Sequence, residues 1–383
     1  MLVDFLKKLA NLRIKSKDTL YYDVDKQKEY LASFPEPKDE IERSFFQYQC
    51  QNCLEGNVFA FVTNFIAMFV LLPYVFLNSF RKVESLEHST SVFIDDGLTS
   101  RIIPSKIREK YGEVISVNFG KLVYLNQFDR AFLWKVYKRY PLSFYFLFKC
   151  AIKIAIYRAI INRYHPQVII AYNEFSFTSS LLTQYCQQNQ IRNINVMHGE
   201  KVFTIQEAFA SFHEYYVWDT HYVQLFLKMR QNPLQFIIEQ PEFLHAIAKS
   251  CDVVYDFKYY LGNDNATTLQ AIDKCMLILQ NKGYRVCVRP HPRITVFKDA
   301  VKYITHVPLE ACEEKDCIQS IQESKAIIAQ CSTVHLQGYF MNKVLVVDDI
   351  SNPFQYAKLL DMDFIIITKP HLLLSDVLEE DLI

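Results

Sequence analysis

Four short apolar runs in this chain each end in a cluster of polar residues. In chain order the clusters are Asp95-Asp96-Gly97, His198-Gly199-Glu200, Arg289-Pro290-His291-Pro292-Arg293 and Gln330-Cys331-Ser332-Thr333. Apolar runs of this length, followed by helical patterns, are typical of parallel strands in an α/β sheet. Ligands of such sheets bind at the carboxyl ends of the strands. We therefore expect the binding and catalytic residues of this protein to lie at strand ends.

The strand signals divide the chain into two α/β halves. Strand and helix patterns alternate over residues 89–205, where residues 127–163 are predicted to be helical, and again over residues 251–383, where residues 252–260 and 364–367 are predicted as strands. Residues 206–250 are predicted to form a helical linker. Residues 1–88 are predicted to be a helical N-terminal region. A chain of 383 residues is long enough for two domains with separate cores. We expect two Rossmann-like domains that face each other across a cleft, because ligands commonly bind between domains.

The composition excludes a disordered chain and gives no sign of nucleic-acid binding. Half of the residues are hydrophobic, and the 42 basic and 42 acidic side chains cancel. The ten cysteines are scattered, and the one pair with CxxC spacing, Cys50 and Cys53, has no second pair at zinc-finger distance. No Asp-x-Asp motif stands convincingly at a strand end, and there is no Gly-rich phosphate loop. We therefore predict chemistry without a metal ion or a cofactor.

Residues 57–79 form a stretch of 23 residues without a charge. A helix of this length reaches about 30 Å, the thickness of a bilayer core. A buried or membrane-surface helix, a single span and a re-entrant hairpin all fit the pattern. Arg81 and Lys82 follow it and suit anionic headgroups. Because no signal-peptide pattern is apparent, we expect a cytoplasmic protein at the inner face of the plasma membrane.

The motifs and their order resemble those of known bacterial enzymes. The segments VMHGE (residues 196–200), VRPHPR (residues 288–293) and AQCSTVHLQGYFMNK (residues 329–343) resemble surface-polysaccharide enzymes that use cytidine nucleotides. These are CDP-glycerol glycerophosphotransferases, capsule Kdo transferases, and bacterial sialyltransferases and polysialyltransferases. The resemblance spans residues 90–350. It implies a GT-B glycosyltransferase that transfers a nonulosonic acid or Kdo from a CMP-linked donor to a capsule or lipopolysaccharide glycan.

The resemblance also implies roles for single residues. In the sialyltransferase comparison, Asp95 or Asp96 is the base for the acceptor hydroxyl and His291 contacts the departing phosphate. In the glycerophosphotransferase comparison, His198 is the base. The predicted substrate-binding residues are Gly97, Asn173, Glu174, Gly199, Glu200, Arg289, Pro292, Arg293, Ser332 and Thr333.

Physical chemistry supports several of these assignments and leaves others open. Ser332 and Thr333 stand at a predicted helix N-terminus, where hydroxyl and N–H groups bind phosphate. Arg289 and Arg293 can add charge-assisted hydrogen bonds, and Glu200 is a candidate to orient His198. Turns, helix caps and structural histidines would produce some of the same patterns.

Three other functions fit the same sequence. A CDP-glycerol glycerophosphotransferase and a GT-B transferase of UDP-sugars would use the same strand ends with a different donor. A non-catalytic scaffold of a polysaccharide assembly complex would not bind a nucleotide. In the enzyme hypotheses the nucleotide-activated donor lies against the C-terminal half, near His291 and Ser332. The glycan or lipid-linked acceptor lies against the N-terminal half, near Asp95 and His198.

Overall fold

The computed structural model describes residues 23–80, 88–94, 100–118, 123–244 and 252–380. The chain forms two compact units. The first consists of Met1–His198 and Phe203–Pro241, and the second of Gly199–Val202 and Glu242–Ile383. Each contains a sheet of parallel strands interleaved with helices, so the predicted α/β class with two Rossmann-like units is confirmed.

The first unit contains a six-stranded sheet in the order β2-β1-β3-β4-β5-β6. Every neighbouring pair in it is parallel. Its strands are β1 (Ser91–Ile94), β2 (Val114–Val117), β3 (Val168–Ala171), β4 (Arg192–Val196), β5 (Glu214–Val217) and β6 (Phe236–Ile238). Its helices are α1 (Val24–Ala32), α2 (Glu40–Glu55), α3 (Asn57–Asn78), α4 (Ser105–Tyr111), α5 (Gln127–Arg139), α6 (Phe144–Tyr164), α7 (Ser179–Gln188) and α8 (Thr220–Lys228).

The core of this unit lies between the sheet and the long helix α6. Val92 and Ile169 of the sheet pack in one cluster with Ile154 of α6 and Leu181 of α7, and all four are fully buried. Strands β1, β3 and β5 are buried over their whole length. Central strands of a parallel sheet are covered on both faces, which explains why every residue of these three strands is buried.

Buried polar groups fix α5 and α6 to the rest of the first unit. Asn126 and Asp129 form a reciprocal capping box at the start of α5. Asp129 also accepts hydrogen bonds from Arg158 of α6 and from the hydroxyl of Tyr185 of α7, at 3.0 and 2.8 Å. Because Asp129 is fully buried and Arg158 nearly so, each of the two charges depends on the other for compensation.

Helix α3 is exposed although it is apolar. Ala67 and Asn78 are its buried residues, whereas Phe61 and Leu72 are 72% and 75% exposed. Asn64 anchors the helix by bonding the Leu142 carbonyl and the Tyr145 amide, both at 3.0 Å. Within the described ranges α3 is the one helix long and apolar enough to cross a bilayer. The helix is continuous through Pro73, so a re-entrant hairpin is excluded, and its exposure excludes a buried core helix.

The second unit contains a five-stranded parallel sheet in the order β11-β10-β9-β7-β8. Its strands are β7 (Tyr255–Tyr260), β8 (Val286–Arg289), β9 (Ser324–Ala329), β10 (Val344–Val347) and β11 (Leu372–Leu373). Its helices are α9 (Ala266–Asn281), α10 (Phe297–Ala300), α11 (Cys317–Gln322), α12 (Thr333–Phe340), α13 (Pro353–Asp361) and α14 (Leu374–Glu379). Helix α12 lies so close to β9 that a Cβ at Gly338 would come within 2.3 Å of the Ile327 Cδ1 atom.

The structure corrects three predictions. Residues 206–250 are not a helical linker, because β5, α8 and β6 extend the first sheet to Ile238. The strand β5 begins with Glu214, which is buried because Lys110 and Arg192 neutralise it at 2.7 and 2.8 Å. A charged residue at a buried strand position interrupts the apolar run by which a strand is recognised in the sequence. Residues 364–367, predicted as a strand, begin a buried 3-10 turn, Ile365–Thr368. The predicted helix over 127–163 is two helices, separated by Tyr140–Ser143.

Candidate active site

A histidine and a buried carboxylate meet at the carboxyl end of the first sheet. His198 follows β4 by two residues, and Glu174 follows the neighbouring strand β3 by three. The His198 Nδ1 atom lies 2.9 Å from the Glu174 Oε1 atom. The Glu174 side chain is fully buried, whereas a quarter of the His198 side chain is exposed. A carboxylate at Nδ1 orients the imidazole and leaves Nε2 as the nitrogen that can exchange a proton with a substrate.

The buried carboxylate of this pair is held in place by surrounding amides. Asn195, fully buried in β4, donates to Glu174 Oε2 at 3.0 Å and accepts from the Asn173 amide at 2.7 Å. Gln47 of α2 donates to the Glu174 carbonyl at 2.9 Å. Glu174 therefore occupies a constrained position, as an orienting group requires.

Two aromatic residues lie against the histidine and also line a polar cavity. The ring centroids of Tyr172 and Phe175 lie 5.0 and 6.3 Å from that of His198. Both residues line a cavity of about 340 Å³ in the first unit. Of the two residues predicted from sequence to contact the acceptor, Asn173 lines this cavity and Glu174 lies against His198.

The sequence also predicted an acidic motif, residues 95–97, and Glu200 as parts of this site. The residues Asp95, Asp96 and Gly97 lie outside the described residues, so their predicted role as base stays a prediction. Glu200 was predicted to orient His198, but Glu174 occupies that position. The backbone amide of Glu200 instead donates to Thr333 Oγ1 at 3.3 Å, a contact within the second unit, to which Gly199 also belongs.

The loop after β8 holds His291 with a defined proton position. The backbone amides of Arg293 and Ile294 both donate to His291 Nδ1, at 3.0 and 3.1 Å. The neutral ring therefore carries its proton on Nε2 and presents a hydrogen-bond donor there. Burial lowers the pKa of His291, and the charge of Arg293 lowers it further. His291 is therefore a neutral donor at neutral pH, while Pro292 and Arg293 are exposed beside it.

Three strand-end loops of the second sheet converge around Gly262, the second residue after β7. Thr295 closes the His291 loop by accepting from the His291 amide and donates its hydroxyl to the Gly262 carbonyl at 2.7 Å. A Cβ at Gly262 would lie 4.0 Å from the carbonyl of Cys331, which follows β9. Asp264 caps this junction by accepting from the Gly262 amide at 2.7 Å. Burial raises the pKa of the Asp264 carboxyl.

The hydroxyl residues after β9 begin helix α12, as predicted. Ser332 is the N-cap and accepts from the Val334 amide at 3.2 Å. Thr333 is the first residue of the helix, and both side chains are half-buried. The N-terminal amides of α12 face the same strand ends as the His291 loop, an arrangement that suits an anionic group such as phosphate.

Arg289 does not match its predicted role as a phosphate ligand. Its guanidinium is buried and bonded to Glu310, and it donates to the Lys315 carbonyl at 2.7 Å. Lys258, fully buried in β7, reaches the same Glu310 carboxylate at 2.7 Å. Lys258 also lies 3.9 Å from Glu323, so Arg289 belongs to a larger buried charge network that fixes the end of β8. Arg293 is the arginine of this motif that is exposed.

Several residues of these sites carry no sequence signal. Gln47 lies in α2, more than a hundred residues before the group it holds. Gly262 and Asp264 follow a strand whose end lacks a recognisable motif. Their position after β7 is predicted correctly, but no residue pattern at that position indicates a chemical role. In the part of the chain that the structure describes, no cluster of three or more His, Cys, Asp or Glu side chains could hold a metal ion.

Comparisons with known proteins find similarity in structure. No protein-family model matches the chain, and no curated protein sequence does. UDP-GlcNAc 2-epimerase from Neisseria meningitidis, solved with UDP-GlcNAc, is 12% identical over 71% of this chain and 85% of that chain, with a TM-score of 0.41. The wall teichoic acid polymerase TagF is 9% identical over 85% and 88%, with a TM-score of 0.41. HepE from Anabaena, solved with UDP-glucose, is 9% identical over 69% and 81%, with a TM-score of 0.39. At these TM-scores the likeness assigns no function.

Proposed function

We propose that this protein is a GT-B glycosyltransferase that transfers a sugar from a cytidine-nucleotide donor, of the CMP-nonulosonic acid or Kdo type, to a capsule or lipopolysaccharide glycan. The observation that carries the proposal is the contact between His198 Nδ1 and the buried Glu174 carboxylate at 2.9 Å. A partly exposed imidazole with this support is suited to take a proton from a hydroxyl group. The cytidine donor is supported by the resemblance of the three histidine and hydroxyl motifs.

In the proposed reaction His198 Nε2 takes the proton of the acceptor hydroxyl. The hydroxyl oxygen attacks the anomeric carbon, and the bond from that carbon to the donor phosphate oxygen breaks. The electron pair of the broken bond goes to the phosphate, which leaves as part of CMP. The Glu174 carboxylate, 2.9 Å from Nδ1, lies beside the imidazolium that forms and carries the opposite charge.

The second unit supplies the groups that suit the leaving nucleotide. His291 Nε2–H is a donor that needs no proton uptake at neutral pH, because burial lowers the pKa of this histidine. Ser332 and Thr333 add hydroxyl groups at the start of α12, and Arg293 adds a positive charge. Donors aimed at the phosphate stabilise the charge that develops there as the bond breaks.

Nucleotide binding tests the donor assignment. We expect CMP or CDP to raise the melting temperature of the protein, because a ligand at 100 times its Kd adds about 2.7 kcal/mol to the free energy of unfolding. His291→Ala should abolish this shift, whereas the control His306→Ala should retain it, since the His306 side chain bonds Asp273 at 2.6 Å on an exposed surface. A shift with UDP alone would replace the cytidine donor by a UDP-sugar. The absence of any shift with CMP, CDP, UDP and GDP would contradict the enzyme proposal and favour the scaffold.

Two glutamate variants test the role of the first unit. Glu174→Gln keeps the shape of the side chain and removes its charge, so it should lower turnover by about tenfold or more, because the proton that His198 takes up then loses the opposite charge 2.9 Å from Nδ1. Nucleotide binding should be unchanged. The matched control is Glu200→Gln, which removes the carboxylate nearer in sequence and should retain most of the turnover. Equal losses in the two variants would contradict the assignment of Glu174.

We also propose that the protein lies at the inner face of the plasma membrane through α3, without crossing it. Helix α2 precedes α3, yet Ser44 accepts a hydrogen bond from the Leu181 amide at 2.7 Å and Gln47 contacts Glu174. Segments before and after α3 therefore pack in one unit, whereas a membrane span would separate them. An exposed apolar helix of this kind suits the plane of the interface.

Vesicle flotation tests the membrane proposal. We expect the protein to float with phosphatidylglycerol vesicles, and Phe61→Asp combined with Leu72→Asp to abolish flotation. The matched control is Leu234→Asp, because Leu234 is 91% exposed but lies outside α3. If the α3 double variant still floats like the control, α3 is not the membrane-binding element. If the α3 double variant changes the oligomeric state of the protein and not its flotation, α3 is a contact between copies of this chain.

A further inference from the structure

The polar cavity beside His198 lies entirely within the first unit. It has a volume of about 340 Å³. Helix α2 contributes one wall, α6 a second, and the segment after β3 a third. Its lining includes Asn52, Glu55, Lys149, Lys153, Tyr172 and Asn173.

The lining combines the groups that bind a sugar. Amide side chains such as Asn52 and Asn173 can donate and accept at once, which matches the hydroxyl groups of a saccharide. Tyr172 and Phe175 offer ring faces against which the C–H face of a pyranose can pack. A volume of this size accommodates a small polar ligand. The cavity therefore suits a saccharide better than an apolar ligand.

The charges of the lining specify the kind of saccharide. Lys149 and Lys153 lie one turn apart on α6, so both ammonium groups belong to the same face of the helix. Both are half-buried, and Glu55 is the single acid among the lining residues. Two partly desolvated cations against one anion leave a net positive cavity, which favours an anionic ligand.

The cavity and the catalytic pair share their walls. The rings of Tyr172 and Phe175 contact the cavity and also lie against His198. Asn173, a third lining residue, donates its amide to Asn195, the residue that holds Glu174. A ligand in the cavity is thus positioned next to the proposed base.

We infer that this cavity binds the acceptor, and that the acceptor is a saccharide with an anionic group, a carboxylate or a phosphate, held by Lys149 and Lys153. The inference rests on the proposed function, because it names the substrate class of the same site. An acidic acceptor in the cavity lies beside Tyr172, whose ring contacts His198.

Calorimetric titration of the full chain with three probes tests the inference. The probes are sialyllactose, which carries a carboxylate, glycerol 3-phosphate, which carries a phosphate, and neutral lactose. At least one acidic probe should bind about tenfold or more tightly than lactose, and the stronger of the two identifies the anionic group. Equal binding of all three probes, or no binding at millimolar concentration, overturns the inference.

Paired lysine variants locate the binding. The double variant Lys149→Gln with Lys153→Gln should weaken binding of the acidic probe by about tenfold or more and leave lactose binding unchanged. The control, Lys135→Gln with Lys138→Gln, removes two exposed lysines nearly one turn apart in the same unit and should change neither. Equal effects of the two pairs would overturn the inference.

Failure of this inference is distinguishable from failure of the proposed function. His198→Ala should abolish transfer and retain the acidic probe, because the probe binds in the cavity and not to the base. If the acidic probe binds and the lysine pair is required, but no nucleotide binds and no transfer occurs, the cavity is a site for an anionic saccharide and the glycosyltransferase proposal fails. If a nucleotide donor is used but acidic and neutral probes bind alike, only the acceptor inference fails.

Discussion

His335 should make the second unit sensitive to acid. The side chain is fully buried on α12, and its Nε2 lies 2.9 Å from the Val346 carbonyl oxygen. Burial lowers the pKa of His335 from its ordinary 6.5 to about 4, against the opposing effect of the Val346 carbonyl. Between about pH 6.5 and pH 4, His335 is protonated in the unfolded chain and neutral in the folded chain. The free energy of unfolding therefore falls as the pH falls. The full difference in pKa corresponds to about 3 kcal/mol, lost between about pH 7 and pH 4.

Urea denaturation followed by circular dichroism measures this loss in wild type and in His335→Gln. The glutamine amide can still donate to the Val346 carbonyl but does not titrate. We expect the wild type to lose about 3 kcal/mol more than the variant between about pH 7 and pH 4. Other titrating groups are common to both proteins and cancel in the comparison. Parallel pH profiles would refute the assignment of the acid sensitivity to His335.

Three further predictions concern groups that fix the two units. Asp129→Asn should lower the free energy of unfolding, measured by urea denaturation, by about 3–5 kcal/mol, because it leaves the Arg158 guanidinium buried without a counter-charge. A loss below about 1 kcal/mol would contradict the buried pair. Asn126→Ala removes one half of a capping box and should cost about 1 kcal/mol in the same assay, with Asn126→Asp as the conservative control. Ser332→Ala should cost about 0.5–2 kcal/mol through its lost bond to the Val334 amide, and should weaken CMP binding in calorimetry; unchanged CMP binding would limit Ser332 to capping.

The strand ends could be predicted from the sequence because apolar runs and the residues that follow them are local features. The positions of His198, His291 and Ser332 after β4, β8 and β9 were obtained in this way. The partner of His198 could not be chosen locally, because Glu200 is nearer in the chain than Glu174. Only the adjacency of β3 and β4 brings Glu174 within 2.9 Å.

Buried charge was the main obstacle to prediction in both units. Glu214 interrupts the apolar pattern of β5, so the strand was not predicted. The partners that neutralise this charge lie on α4 and β4 and cannot be identified from the sequence around β5. Arg289 resembled a ligand because it follows a strand, yet Glu310, 21 residues later, neutralises it. A sequence pattern shows that a charge is present but not whether the fold supplies its partner.

The hydrogen bond from Gln47 to the Glu174 carbonyl determines how far the chain can be shortened. A truncated protein that begins near residue 88 would retain both sheets but lose α2, and would expose the backbone behind the proposed base. Because α3 connects α2 to the first strand, no shorter N-terminus preserves this support and also removes the exposed apolar helix. We therefore expect purification of an active form to require detergent or a lipid mimetic, and N-terminal trimming to inactivate the protein and to uncover the core that Ile41 and Tyr48 of α2 cover.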